Sequence, residues 1–177
     1  MLSEKIENAL NEQINAELWS AYLYLSMGMY CEDKGLPGVA NWFRIQFKEE
    51  QAHAEIFMNY ILRRGGRVLL KAIDAVPTDG WATPTDIFRA TLEHEQKVTA
   101  MINNLYALAE SEHDYATRDQ LSWFVNEQVE EEENAQDLIN KFRMIGTDGP
   151  GLYTLDRELA TRVYNVPAPL ATADSAQ

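Results

Sequence analysis

The chain has 177 residues, with 15 Lys+Arg against 28 Asp+Glu and a formal net charge of −13. Such acidity excludes a nucleic-acid or anionic-membrane binder, which needs clustered basic residues, and leaves cations as the natural guests. A hydrophobic content of 46% supports one folded domain, and the single cysteine, Cys31, excludes an internal disulfide and any CxxC motif.

Residues 3–32, 37–64, 85–112 and 117–144 are almost free of Gly and Pro, and each stretch is about 28 residues, or roughly 42 Å as helix. Apolar residues recur at three and four within each. Leu10, Ile14, Leu18, Ala21 and Leu25 mark the first, and Phe43, Phe47, Ala54, Phe57 and Ile61 the second. Phe88, Leu92, Ile102, Leu105 and Ala109 mark the third, and Leu121, Phe124, Ala135, Leu138 and Phe142 the fourth. The pattern predicts an all-α four-helix bundle. Short links at 33–36 and 113–116 force antiparallel pairs. The segment 65–84 is long enough, at about 66 Å extended, to cross over between helices two and three and leave them parallel. Leu152, Leu155, Leu159 and Val163 predict a short fifth helix. Residues 1–164 are read as one domain and 165–177 as a flexible C-terminal tail. No apolar run approaches the ~18 residues of a membrane span. The N-terminus, MLSEKIENALNEQ, has no signal-peptide pattern, so a cytoplasmic protein without a membrane partner is expected.

Some acids stand on the apolar faces. The series 10, 14, 17, 21, 24 puts Glu17 between Ile14 and Ala21, with Tyr24 beyond. In helix two, Glu50 lies between Phe47 and Ala54, and His53 follows three residues on, on the same side. Glu95 stands in the third series, and Gln128 and Glu131 in the fourth. All lie near mid-helix. A buried carboxylate is tolerated when protonated, paired or metal-bound, and no Lys or Arg shares these stripes within a turn. Two divalent cations would balance Glu17, Glu50, Glu95 and Glu131, and carboxylates with one imidazole suit iron or manganese. The pattern matches the arrangement known for ferritin-like di-iron bundles. A bundle that holds metal without turnover has the same pattern.

The motifs NAELWSAYLYLSM (15–27), EEQAHAE (49–55), HEQ (94–96) and NEQVEEEE (126–133) resemble those of non-haem ferritins of the prokaryotic type, over the chain from Glu4 to about Val163. The resemblance implies an iron-storage ferritin and a ferroxidase, an enzyme that oxidises Fe(II) with O2, H2O2 being an alternative oxidant. Glu17, Glu50 and His53 would hold a first iron, with Glu50 bridging. Glu95 and Glu131 would hold a second, with Gln128 beside it. Tyr24 corresponds to the family's tyrosine near the centre, and Glu49, Glu127 and Glu130 to an additional iron site. Ferric iron would be stored as mineral in a homo-oligomeric shell of 24 subunits.

Departures from neighbouring families refine this reading. Bacterioferritins carry a second E-x-x-H on helix four, where this chain has Glu127 and Glu130, and a haem-ligating Met before the helix-two histidine, where it has Ala52; haem is not expected. One cysteine cannot supply the iron module of rubrerythrins. Miniferritins place their site between subunits with another spacing. Arg118 and Leu121 stand where animal ferritins line a channel with acids. Trp123 is a second aromatic able to donate an electron, or a packing residue.

Overall fold

The computed structural model describes residues 2–171. The chain forms α1 (Glu4–Asp33), α2 (Pro37–Arg63), α3 (Pro84–Ser111), α4 (Tyr115–Ile145), α5 (Gly149–Leu159) and a single turn, α6 (Ala168–Ala171). Among the described residues there is no strand. The long helices begin and end within two residues of the expected limits. The starts of α1, α3 and α4 are capped by polar side chains of their own N-cap residues. Ser3 accepts the Ile6 amide at 3.3 Å, Thr83 and Asp86 form a reciprocal capping box, and Asp114 accepts the Thr117 amide at 3.0 Å.

The helices fall into two compact units. In the first, the short link through Gly35 (φ +74°) turns α1 back into α2. Tyr24 and Phe43 stack between the two helices at 5.9 Å. Phe43, Phe57, Leu10 and Ile61 are fully buried; each such side chain contributes about 1.5–3 kcal/mol of transfer free energy. Of the expected α1 stripe, Leu10, Ile14 and Ala21 are buried, whereas Leu18 and Leu25 are half-buried. Glu17 and Tyr24 take the centre of the face instead, because the helical repeat of 3.6 favours 10, 14, 17, 21, 24 over a strict step of four.

The crossover from Arg64 to Thr83 has no regular structure beyond its first turn, yet it is anchored along α1. Buried Asn11 donates to the Arg67 carbonyl at 3.0 Å and accepts the Leu69 amide at 2.7 Å. Lys71 pairs with Glu12, and Ser26 donates to the Pro77 carbonyl at 2.6 Å. These anchors span about 22 Å of helix at ~1.5 Å per residue, so the segment runs alongside α1 and in its direction.

The fifth helix starts before the expected stretch and stops at Leu159, which leaves Val163 outside it and exposed. The Asn41 side chain explains the stop. It donates to the carbonyls of Leu159 and Arg162, at 3.1 and 3.0 Å, and so satisfies groups that a continuing helix would bond internally. Within the expected tail, α6 forms one turn; the remainder, 172–177, lies outside the described residues.

In the second unit α3 and α4 form an antiparallel hairpin. Phe88, near the start of α3, stacks on Phe142, near the end of α4, at 5.4 Å. The turn places His113 in the left-handed region (φ 55°), and the Asp114 amide closes it on the Ala109 carbonyl at 2.9 Å.

Candidate metal centre

In the first unit, α1 and α2 bring Glu17, Glu50 and His53 together. Each is 1–2% exposed, and their ligand atoms lie within 4.8 Å of one another. His53 Nδ1 is 3.9 Å from Glu17 Oε2 and 3.7 Å from Glu50 Oε2. Those separations are too long for hydrogen bonds. They suit ligands about 2.1 Å from one shared cation. Glu17 Oε1 accepts a 2.8 Å bond from Gln13 Nε2, while Glu17 Oε2 is buried with no hydrogen bond. An ionised oxygen so placed is costly unless a cation meets it. The donor set, two carboxylates and one imidazole, fits iron or manganese.

Helix periodicity accounts for the convergence. Glu50 and His53 are three apart on α2 and therefore share its buried face, and Gln13 and Glu17 are four apart on α1. Tyr24, further along the same α1 face, is fully buried.

Within the second unit, Gln128 Nε2 donates to Glu95 Oε2 at 3.1 Å and to the Glu95 carbonyl at 3.3 Å. Glu95 and Glu131 are both buried. This hairpin therefore presents two buried carboxylates and an amide, with one Glu95 oxygen oriented by Gln128. Trp123 is half-buried and packs edge-on to Phe124 at 4.9 Å.

The remaining candidates have different surroundings. Glu127 is half-buried and Glu130 exposed. Glu49 is held by Arg162, whose Nη2 lies 2.7 Å from Glu49 Oε2. Arg162 and Tyr164 were missed by sequence reasoning. Burial, then the Glu49 and Glu55 carboxylates, push the Tyr164 phenol up, and His53 pulls it the other way. Tyr164 thus stands within electrostatic reach of the cluster, and only its place beyond α5 hid it. Gln13 was missed too, although its spacing from Glu17 was a usable signal.

Fold and site together define an all-α protein with a buried two-glutamate, one-histidine cluster that could hold a metal ion. The Ferritin family model, described as a ferritin-like domain, matches residues 7–145. The chain is 45% identical over 162 residues to a bacterial non-heme ferritin of Bacteroides fragilis, covering 92% of this chain and 100% of that protein. It is 39% identical over 165 residues to a bacterial non-heme ferritin of Staphylococcus aureus, covering 93% and 99%. Among solved structures, an open pore ferritin from the hyperthermophilic archaeon Archaeoglobus fulgidus matches with a TM-score of 0.90 at 47% identity, over 92% of this chain and all of the other. An engineered closed form of the Archaeoglobus fulgidus ferritin gives 0.91 at 46% identity, over 93% and 100%. The chain belongs to the ferritin family, whose function is iron storage. Its fold class is that of these structures: an all-α four-helix bundle with a long crossover after the second helix and a short fifth helix.

Proposed function

We propose that the chain oxidises Fe(II) with O2 at a dinuclear ferroxidase centre and stores the ferric product as mineral within a shell of 24 copies. The observation that carries the reading is the convergence of buried Glu17, Glu50 and His53. These three hold the first iron, and Glu50 bridges. Glu95 and Glu131 hold the second, with Gln128 orienting Glu95. Tyr24 supplies an electron when a reactive species must be quenched. Glu49, Glu127 and Glu130 form the additional site.

Iron is here both substrate and cargo, and each Fe(II) gives up one electron. The residues' part is electrostatic: carboxylates stabilise Fe(III) more than Fe(II), which makes the oxidation favourable. Gln13 fixes one Glu17 oxygen and leaves the other for the metal. The 24-subunit shell rests on the likeness to ferritin structures over most of the chain. Among the described residues no helix is long and apolar enough to cross a membrane. With the charge of −13, this supports a cytoplasmic role without membrane or nucleic-acid partner. Ala52 before His53 supports a centre that works without haem.

The test is aerobic addition of two Fe(II) per chain, followed by O2 consumption and ferric absorbance. Rapid oxidation in the wild type and its loss in Glu50→Ala and His53→Ala are expected. Unchanged oxidation in both variants refutes the ligand assignment. Metal uptake without O2 consumption would favour a bundle that only binds. Gel filtration reads the shell, and elution as a monomer refutes storage in a cage.

A further inference from the structure

Beyond α5 the chain lies as a strap along α2. Asn41 ties it down through the carbonyls of Leu159 and Arg162. The Arg162 guanidinium then sits over the Trp42 ring at 4.7 Å, and its Nη1 donates to the Trp42 carbonyl at 3.2 Å. Its Nη2 donates to Glu49 Oε2 at 2.7 Å, with the two side chains only 24% and 17% exposed. Ring, carbonyl and carboxylate together fix this cation, so it is more than a loose surface pair. Surface pairs contribute little because both side chains stay mobile and solvated; here three partners have already ordered the arginine.

We infer that Arg162 is the built-in cation of Glu49, and that it withholds this carboxylate from metal while the strap is seated. The inference rests on the proposed reading of Glu49 as an iron ligand. The guanidinium offers Glu49 a planar fork of charged donors with no acceptor of its own. A divalent ion approaching Glu49 must displace a charge-assisted hydrogen bond and meets a positive charge beside its ligand. Glu50, one residue on, points to the buried face and keeps its part in the Glu17–His53 cluster. Arg162 is therefore a positioning residue. It separates tight binding at the cluster from weak binding at Glu49 and makes occupancy there depend on the strap.

The test is equilibrium dialysis of the metal-free, full-length protein against Co(II). Wild type is compared with Arg162→Gln, Arg162→Lys and the double variant Arg162→Gln/Glu49→Gln. Arg162→Gln is expected to bind one more Co(II) per chain than wild type, or to bind the weak ion at least about ten-fold tighter. Arg162→Lys, which keeps the charge, is expected to retain the wild-type count, and the double variant to lose the gain. An Arg162→Gln variant with both the wild-type count and the wild-type affinity for the weak ion overturns the inference. So does a gain that persists in the double variant, because the extra ion would then lie elsewhere. His53→Ala separates the two readings: a wild-type count in that variant refutes the cluster as a metal site, whatever the arginine variants do.

Discussion

Asp156 Oδ1 accepts the Val39 amide at 2.9 Å, joining α5 to the first turn of α2 across 117 residues of sequence. Helix α2 begins at Pro37 after Leu36, whose side chain makes no capping bond. A carboxylate from elsewhere in the chain therefore does what an N-cap residue does locally, and the helix dipole favours its charge there. Asp156→Ala should cost about 1–2 kcal/mol, the usual range for losing a cap, read as a lower midpoint in thermal or denaturant unfolding. Gly38→Ala should cost more, since a Cβ there would stand 1.6 Å from the Asp156 carbonyl oxygen and push α5 away. Equal melting of wild type and Asp156→Ala would show that the bond contributes nothing.

The same carboxylate acts on Cys31. Burial, and then Asp156, push the thiol up to about 12 from its ordinary 9.0. The folded protein thus keeps a proton that the unfolded chain releases near pH 9. Stability from this group is complete below pH 9 and is lost as the pH rises from 9 towards 12. Cys31→Ala should show a smaller fall in denaturant midpoint between pH 8 and pH 10.5 than wild type. Native protein at pH 8 should leave a thiol reagent unreacted until it is unfolded; rapid native labelling would contradict the burial.

Crowding of Glu17 and Glu50 around His53 disfavours the metal-free fold, and a cation reverses that. Glu50→Gln should melt at or above the wild-type temperature without metal, because it removes a buried charge. Added Co(II) should raise the melting temperature of wild type by mass action and leave the variant almost unmoved. An equal metal-induced rise in both proteins would remove Glu50 from the site.

His94 is half-buried beside Glu95, and burial first, then Lys97, lower it from 6.5 to about 4. Between those values the unfolded chain binds a proton that the folded chain refuses. Stability is therefore present above pH 6.5 and declines as the pH falls towards 4. His94→Gln should flatten that part of the stability profile of the metal-free protein. Parallel profiles for wild type and variant would place His94 in water.

Much of this was legible from single helices. Glu17, Glu50, His53, Glu95, Gln128 and Glu131 were identified as buried because each sits in an apolar stripe of its own helix, and burial of a helix face is a local, periodic property. The same reasoning offered Leu18 and Leu25 as core, where the drift between four and 3.6 residues per turn moved them to the margin. It passed over Gly38 inside the second helical stretch, although its use is to let the α5 backbone approach.

The sequence by itself determined the number and limits of the long helices, the acids on their inner faces and the family. Periodicity, capping and motif spacing are all written within a few dozen residues. Only the tertiary structure decided what distant segments do to those acids: that Arg162 holds Glu49, that Asp156 caps α2, and that the crossover is pinned along α1 by Asn11 and Ser26. These contacts join residues 51 to 117 positions apart. No local pattern encodes such pairings, because they depend on where the chain returns after each helix ends.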